Sequence, residues 1–127
     1  MSLIYLIDDD YIYLNFTARM LMQVFPNARV RSFANAADAL TSLEKERPDL
    51  IFLDINMPGM DGWEFLEAFP PSMEGKTEIY MVSSSIDPED ASKAAQHSKV
   101  SRFLEKPLGK KQLESVFADR IKAQSGS

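Results

Sequence analysis

The sequence predicts an α/β fold: one doubly wound parallel sheet of five strands, flanked by five helices. Three observations carry that prediction. Apolar runs of strand length alternate with segments of helical period along the whole chain, and such alternation implies parallel strands joined by crossover helices. The connections are short, with no low-complexity segment or repeat. The run Leu50-Ile51-Phe52-Leu53 holds no polar residue and meets Asp54 and a Pro/Gly loop. A continuous apolar run bounded by turn signals fits a strand buried on both faces.

Leu3 to Ile7 reads as the first strand and ends in Asp8-Asp9-Asp10. Tyr11 to Phe25 lacks Gly and Pro, and Leu14, Ala18, Leu21 and Phe25 recur at helical spacing. Asp10 suits the N-cap of that helix, and Pro26-Asn27 stops it. Ala28 to Phe33 alternates as a second strand. A second helix opens after Asn35, with an apolar stripe of Ala36, Ala39, Leu40 and Leu43, and is closed by Glu44 to Arg47 ahead of Pro48. Leu50 to Asp54 is the third strand. Trp63 to Phe69 reads as a short helix, stopped by Pro70-Pro71. Glu78 to Val82 is the fourth strand and runs into Ser83-Ser84-Ser85. Asp87-Pro88 starts a helix with Pro at its first position, reaching about Ser98. Val100 to Leu104 is the fifth strand, followed by Glu105-Lys106-Pro107. A last helix opens at Gly109 or Lys110 and buries Leu113, Val116, Phe117 and Ile121.

The chain has 127 residues and no cysteine. That length suits one domain, here 1–123, with 124–127 as a disordered tail. A domain of this size buries roughly two-thirds of its unfolded surface and needs no disulfide or metal to fold. Without cysteine, disulfides, thiolate metal sites and cysteine catalysis are excluded. No apolar run approaches a membrane span and no signal peptide is visible, so a cytoplasmic location is expected. With 14 Lys and Arg against 19 Asp and Glu, the net charge is −5, which argues against a basic groove for nucleic acid.

Chemistry collects at the strand ends: Asp8 and Asp9 after the first, Asp54 after the third, Ser83 after the fourth and Lys106 after the fifth. In a parallel sheet these ends share one edge, where ligands bind. In the order 2-1-3-4-5 the first and third strands are neighbours, and Asp8, Asp9 and Asp54 converge. Adjacent carboxylates resist ionising unless something positive sits among them. Hard oxygen ligands with open positions suit Mg²⁺. An acidic nest, an ammonium and a hydroxyl together match a phosphoryl group, whose oxygens need neutralising from several sides. A carboxylate can act as nucleophile and become an acyl phosphate.

From Leu3 to about Ile121 the chain resembles the receiver domain of two-component response regulators. The resemblance rests on Ile7-Asp8-Asp9-Asp10, on Leu53-Asp54-Ile55-Asn56-Met57-Pro58-Gly59-Met60-Asp61-Gly62, on Val82-Ser83-Ser84 and on Phe103-Leu104-Glu105-Lys106-Pro107. It implies a flavodoxin-like sheet in the order 2-1-3-4-5, with Asp54 as phosphoacceptor. It also implies Mg²⁺ (or Mn²⁺) held directly by Asp9, more loosely by Asp8, by Asp54 and by the Asn56 backbone carbonyl. Ser83 is expected to hydrogen-bond the phosphoryl oxygens. Lys106 is expected to pair with Asp54 and then with the phosphoryl group, its bond to Pro107 being cis. The implied donor is a histidine kinase or a histidine phosphotransfer protein. The implied switch draws Ser83 inward, turns Phe103 and changes the surface of the fourth helix, fifth strand and fifth helix. Phe103 stands where many members carry Tyr, Ser84 where many carry Ala, and Lys99-Val100-Ser101 where Gly-Ala is common. In the family, Asn56 and Ser85 influence acyl-phosphate lifetime.

Two rival functions share these residues. A Mg²⁺-dependent phosphatase or phosphotransferase would use Asp54 transiently, but the haloacid-dehalogenase type wants an acid where Asn56 stands. A receiver that only binds proteins would not need Asp54, Asp9 and Lys106 intact. The first helix is apolar on more than one face, with Tyr11, Ile12, Tyr13, Phe16, Met20 and Met22 beyond its inward stripe. Such a surplus marks a partner site. Tyr13 and Phe16, with Pro107-Leu108, are expected to dock the phosphodonor, a homodimer contact being the alternative. Asp61 and Trp63 are expected to serve the loop and the third helix, and His97 to face solvent or stand at a helix end.

Overall fold

The computed structural model describes residues 2–84 and 87–116. In chain order the elements are β1 (Leu3–Ile7), α1 (Tyr11–Val24), β2 (Arg29–Phe33), α2 (Ala36–Ser42), β3 (Leu50–Asp54), α3 (Gly62–Ala68), β4 (Glu78–Ser83), α4 (Pro88–Gln96) and β5 (Arg102–Glu105). Residues 110–116 are helical and form α5. The strands lie in the order β2-β1-β3-β4-β5 and every pairing is parallel. This is the expected doubly wound, flavodoxin-like sheet. Phe117 and Ile121 of the expected α5 stripe, Ser85 and the 124–127 tail lie outside the described residues.

All five residues of β3 are buried. Side chains alternate across a strand, so Ile51 and Leu53 join one core with Tyr5, Ile7, Phe65, Leu66, Ile79 and Met81. Leu50 and Phe52 join the other, with Ile4, Leu6, Leu14, Leu21, Leu113 and Val116. Thus α2 and α3 cover one face, and α1 and α5 the other. A strand sandwiched this way must be apolar throughout, as the run 50–53 is.

β2 starts at Arg29 rather than Ala28, α3 spans Gly62–Ala68 rather than Trp63 to Phe69, and α4 ends at Gln96 rather than near Ser98; three further boundaries also differ from expectation. α2 ends at Ser42, not near Arg47. The following turn brings Glu46 back, where its Oε1 accepts from Tyr5 Oη at 2.8 Å and pairs with Arg31. Ser42 Oγ, at the helix end, joins the same cluster, 2.9 Å from Tyr5 Oη and 3.2 Å from Glu46 Oε1. β5 starts at Arg102 rather than Val100, because the Val100 N–H closes a turn onto the His97 carbonyl. β4 runs one residue further than expected, and that residue is Ser83.

The loop after β3 turns through Gly59 at φ +78°, a left-handed conformation that favours glycine. It ends at Asp61, which caps α3 in a reciprocal pair with Glu64. Gly62 packs directly under the site. A Cβ there would lie 2.7 Å from the Asp54 carbonyl oxygen and 2.9 Å from Met81 Cε. Gly62→Ala is therefore expected to destabilise the protein by about 2–3 kcal/mol. Urea unfolding measures this, and a change below ~0.5 kcal/mol would mean the loop relaxes freely.

Candidate functional site

β1 and β3 are adjacent, so their carboxyl ends deliver Asp8 and Asp54 side by side. The three consecutive aspartates divide the work. Asp10 caps α1, accepting from the Ile12 and Tyr13 amides at 3.0 and 3.2 Å. Asp8 is buried, and its Oδ1 accepts from the Asp10 amide at 2.9 Å. Asp9 is exposed. Asp8, Asp9 and Asp54 each place a carboxylate oxygen within 4.8 Å of the others'. Among the described residues this is the one group of three or more such ligands.

Lys106 enters from the far side of the sheet. Its amide donates to the Ser83 carbonyl at 2.8 Å, and its bond to Pro107 is cis as expected. The ammonium contacts Asp8 Oδ2 and lies 3.3 Å from Asp54 Oδ1. The resemblance implied Asp54 as its partner; here it is shared between two carboxylates, the nearer being Asp8. Ser83 is 1% exposed and follows Val82, the residue registered with Asp54. Asn56 and Pro107 are exposed. Phe103 is half-buried against the α2/α3 core.

Burial pushes the Asp54 carboxyl up to about 6, the neighbouring Asp8 and Asp9 charges adding and Lys106 opposing. Burial works against the Lys106 charge, but the Asp8 and Asp54 carboxylates outweigh it and raise the ammonium's affinity for its proton. The strand can bear this. Burying the four apolar residues of β3 contributes roughly 6–12 kcal/mol gross. Holding Asp54 ionised costs about 3 kcal/mol.

Three carboxylates face one ammonium, so the pocket retains negative charge. Asp8 Oδ2 is buried and, among the described residues, accepts no hydrogen bond of normal geometry, with the Lys106 ammonium against it. A small hard divalent cation fits this donor set, since Mg²⁺ and Mn²⁺ prefer carboxylate oxygen and keep open positions.

Tyr13, expected with Phe16 at the docking surface, also reaches the site. It is half-buried, with the Lys106 Nζ 4.5 Å from its ring centroid. Burial and the Asp8 and Asp54 charges push its phenol up to about 12, so it stays neutral. Tyr13 stands one turn before Thr17, which is 1% exposed, so it shares the inward side of α1. Phe16 remains 58% exposed, with Tyr11, Ile12 and Met22 also outward. Met20, by contrast, packs on the core. His97 ends α4, its Nδ1 accepting from the Lys99 amide at 3.2 Å. Trp63 packs beside it on α3.

The sheet order and the site edge define a flavodoxin-like α/β domain with an acidic, lysine-bearing pocket at its carboxyl end. Residues 4–118 match the family model of the response regulator receiver domain. The chain belongs to that family, the receiver domains of two-component signalling. It is 29% identical over 124 residues to the cyclic di-GMP phosphodiesterase response regulator RpfG of Xanthomonas campestris, an alignment covering 98% of this chain and 33% of that protein. It is 42% identical over 67 residues to sporulation initiation phosphotransferase F of Bacillus subtilis, covering half of each. The chain thus spans between a third and a half of these two relatives. Among solved structures, a two-component response regulator from Cytophaga hutchinsonii superposes with TM-score 0.86 at 28% identity, covering 94% of this chain and 96% of that one. Chemotaxis protein CheY4 of Vibrio cholerae gives 0.81 at 25%, covering 94% and 98%. No helix among the described residues is long and apolar enough to cross a membrane.

Proposed function

We propose that this chain accepts a phosphoryl group on Asp54 from a phosphohistidine of a histidine kinase or histidine phosphotransfer protein, in a reaction dependent on Mg²⁺ or Mn²⁺. One observation carries the reading: the Asp54 carboxylate sits beside Asp8 and Asp9 with the Lys106 ammonium at 3.3 Å. An Asp54 oxygen forms the new bond to phosphorus as the bond from phosphorus to the imidazole nitrogen breaks, the electron pair leaving with the nitrogen. Asp8, Asp9, Asp54 and the Asn56 carbonyl would hold the cation, which when bound neutralises phosphoryl oxygen charge. Lys106 neutralises the same oxygens from the opposite side, and Ser83 donates its hydroxyl.

The acyl phosphate carries roughly −1.5 to −2 charge. Drawing Ser83 and Lys106 toward it would bias the α4-β5-α5 surface through Phe103, a small load on a two-state element. The donor would dock over exposed Phe16 and Pro107, next to the site. Turnover would be limited to the domain's own phosphorylation and dephosphorylation.

Intact mass after incubation with acetyl phosphate and Mg²⁺ tests the reading. One phosphoryl adduct is expected, lost on chelating the cation. No adduct would overturn it. Rapid multiple turnover of varied phosphate esters would replace it with a phosphatase.

A further inference from the structure

We infer that Tyr13 is a positioning residue of the phosphoacceptor site, its ring face holding the Lys106 ammonium over Asp8 and Asp54. The inference rests on the reading of Asp54 as phosphoacceptor.

A lysine side chain is a flexible four-carbon stem carrying a point charge. Two carboxylates compete for this one, and contact with Asp8 alone would withdraw it from the reacting oxygen. A third restraint decides where it rests. The Lys106 Nζ lies 4.5 Å from the Tyr13 ring centroid, inside the range where an aromatic face attracts a cation. The Lys106 side chain is 14% exposed, and desolvation strengthens that attraction.

The ring is itself fixed. Tyr13 stands in the first turn of α1, and its amide donates to the Asp10 cap at 3.2 Å. It lines a small cavity together with the apolar Leu6, Leu14, Phe52 and Val82 and with Asp8 and Asp54. The phenol oxygen is buried beside the Thr17 hydroxyl and the Leu108 backbone, without a hydrogen bond of normal geometry. The ring face, not the hydroxyl, makes the contact with charge. One short segment, 8–13, thereby carries both the carboxylates and the platform for the opposing cation.

The test compares Tyr13→Phe, which keeps the face, with Tyr13→Leu, which removes it; Tyr13→Met serves as a second ring-free variant if the first does not fold. Phosphoryl uptake from acetyl phosphate is expected to slow about tenfold without the ring, and Tyr13→Phe to stay within about twofold of wild type. The Lys106 ε-methylene protons, read by NMR, should be ring-shielded in wild type and Tyr13→Phe and lose that shielding in the ring-free variant. Unchanged uptake without the ring, or equal slowing in Tyr13→Phe, would overturn the inference, as would unshielded protons in wild type. If wild type takes no phosphoryl group while the shielding is present, the phosphoacceptor reading has failed and the positioning role falls with it, although the contact stands.

Discussion

Asp54→Asn is expected to take no phosphoryl group and, at neutral pH without divalent cations, to be more stable than wild type. The first result follows from losing the nucleophile: an amide oxygen cannot form the acyl phosphate. The second follows from burial. Asp54 is 5% exposed, and burial with the Asp8 charge pushes its carboxyl up to about 6 from an ordinary 3.8. An acid whose folded value is raised binds its proton more tightly when folded. Its contribution is fully present below the unfolded value and is lost as pH rises through about 6. At pH 7 to 8 wild type has lost about 3 kcal/mol that the neutral amide keeps. Urea unfolding with chelator should therefore show Asp54→Asn ahead by about 2–3 kcal/mol there, the gap narrowing toward pH 4. Added Mg²⁺ should narrow it too, since the cation stabilises wild type more. An adduct on the variant would remove Asp54 from its role. A variant less stable than wild type across the range would mean that Lys106 more than offsets the burial of Asp54.

Much of this site was legible because strand ends are legible. The run 50–53 must be buried on both faces, so Asp54 has to emerge where the sheet stops, and the same logic places Asp8 and Ser83. Division of labour among Asp8, Asp9 and Asp10 was also readable, since helix capping claims the last of them. Geometry finer than a strand end was not. Which carboxylate Lys106 meets depends on small differences in reach between Asp8 and Asp54. Nor was the contact of Tyr13 with Lys106 legible: α1 carries more apolar residues than one stripe needs, and periodicity leaves open how far each of Tyr13 and Phe16 turns outward. The early end of α2 depends on a partner far away in sequence, Tyr5, whose hydroxyl recruits Glu46. In each case the deciding contact is tertiary and carries no local signature.

Lys106→Met should act on stability in the opposite direction and on reaction in the same one. Removing the ammonium leaves Asp8 and Asp54, 2% and 5% exposed, facing each other without a counter-charge. Breaking one side of a buried ion pair costs about 3–5 kcal/mol. Here the loss is capped, because Asp54 can take up a proton. The variant should therefore be weaker than wild type by about 2–3 kcal/mol at pH 8, recovering toward pH 5 as that carboxyl neutralises. Phosphoryl uptake should fall about 10²- to 10³-fold, the usual effect of deleting one donor aimed at developing oxygen charge. Apparent affinity for Mg²⁺ should rise, since Lys106 and the cation compete for Asp8 Oδ2. The double variant Asp54→Asn/Lys106→Met separates the two pairs. With the Asp54 carboxylate already replaced by an amide, any remaining destabilisation comes from the Asp8 contact and the Tyr13 ring face together. If the double variant matches Asp54→Asn, Lys106 acts on stability only through Asp54, and the closer contact with Asp8 contributes nothing. A loss in the double variant close to that of Lys106→Met alone would make Asp8, together with the Tyr13 ring face, the anchor of the ammonium, with Asp54 left as the group it serves.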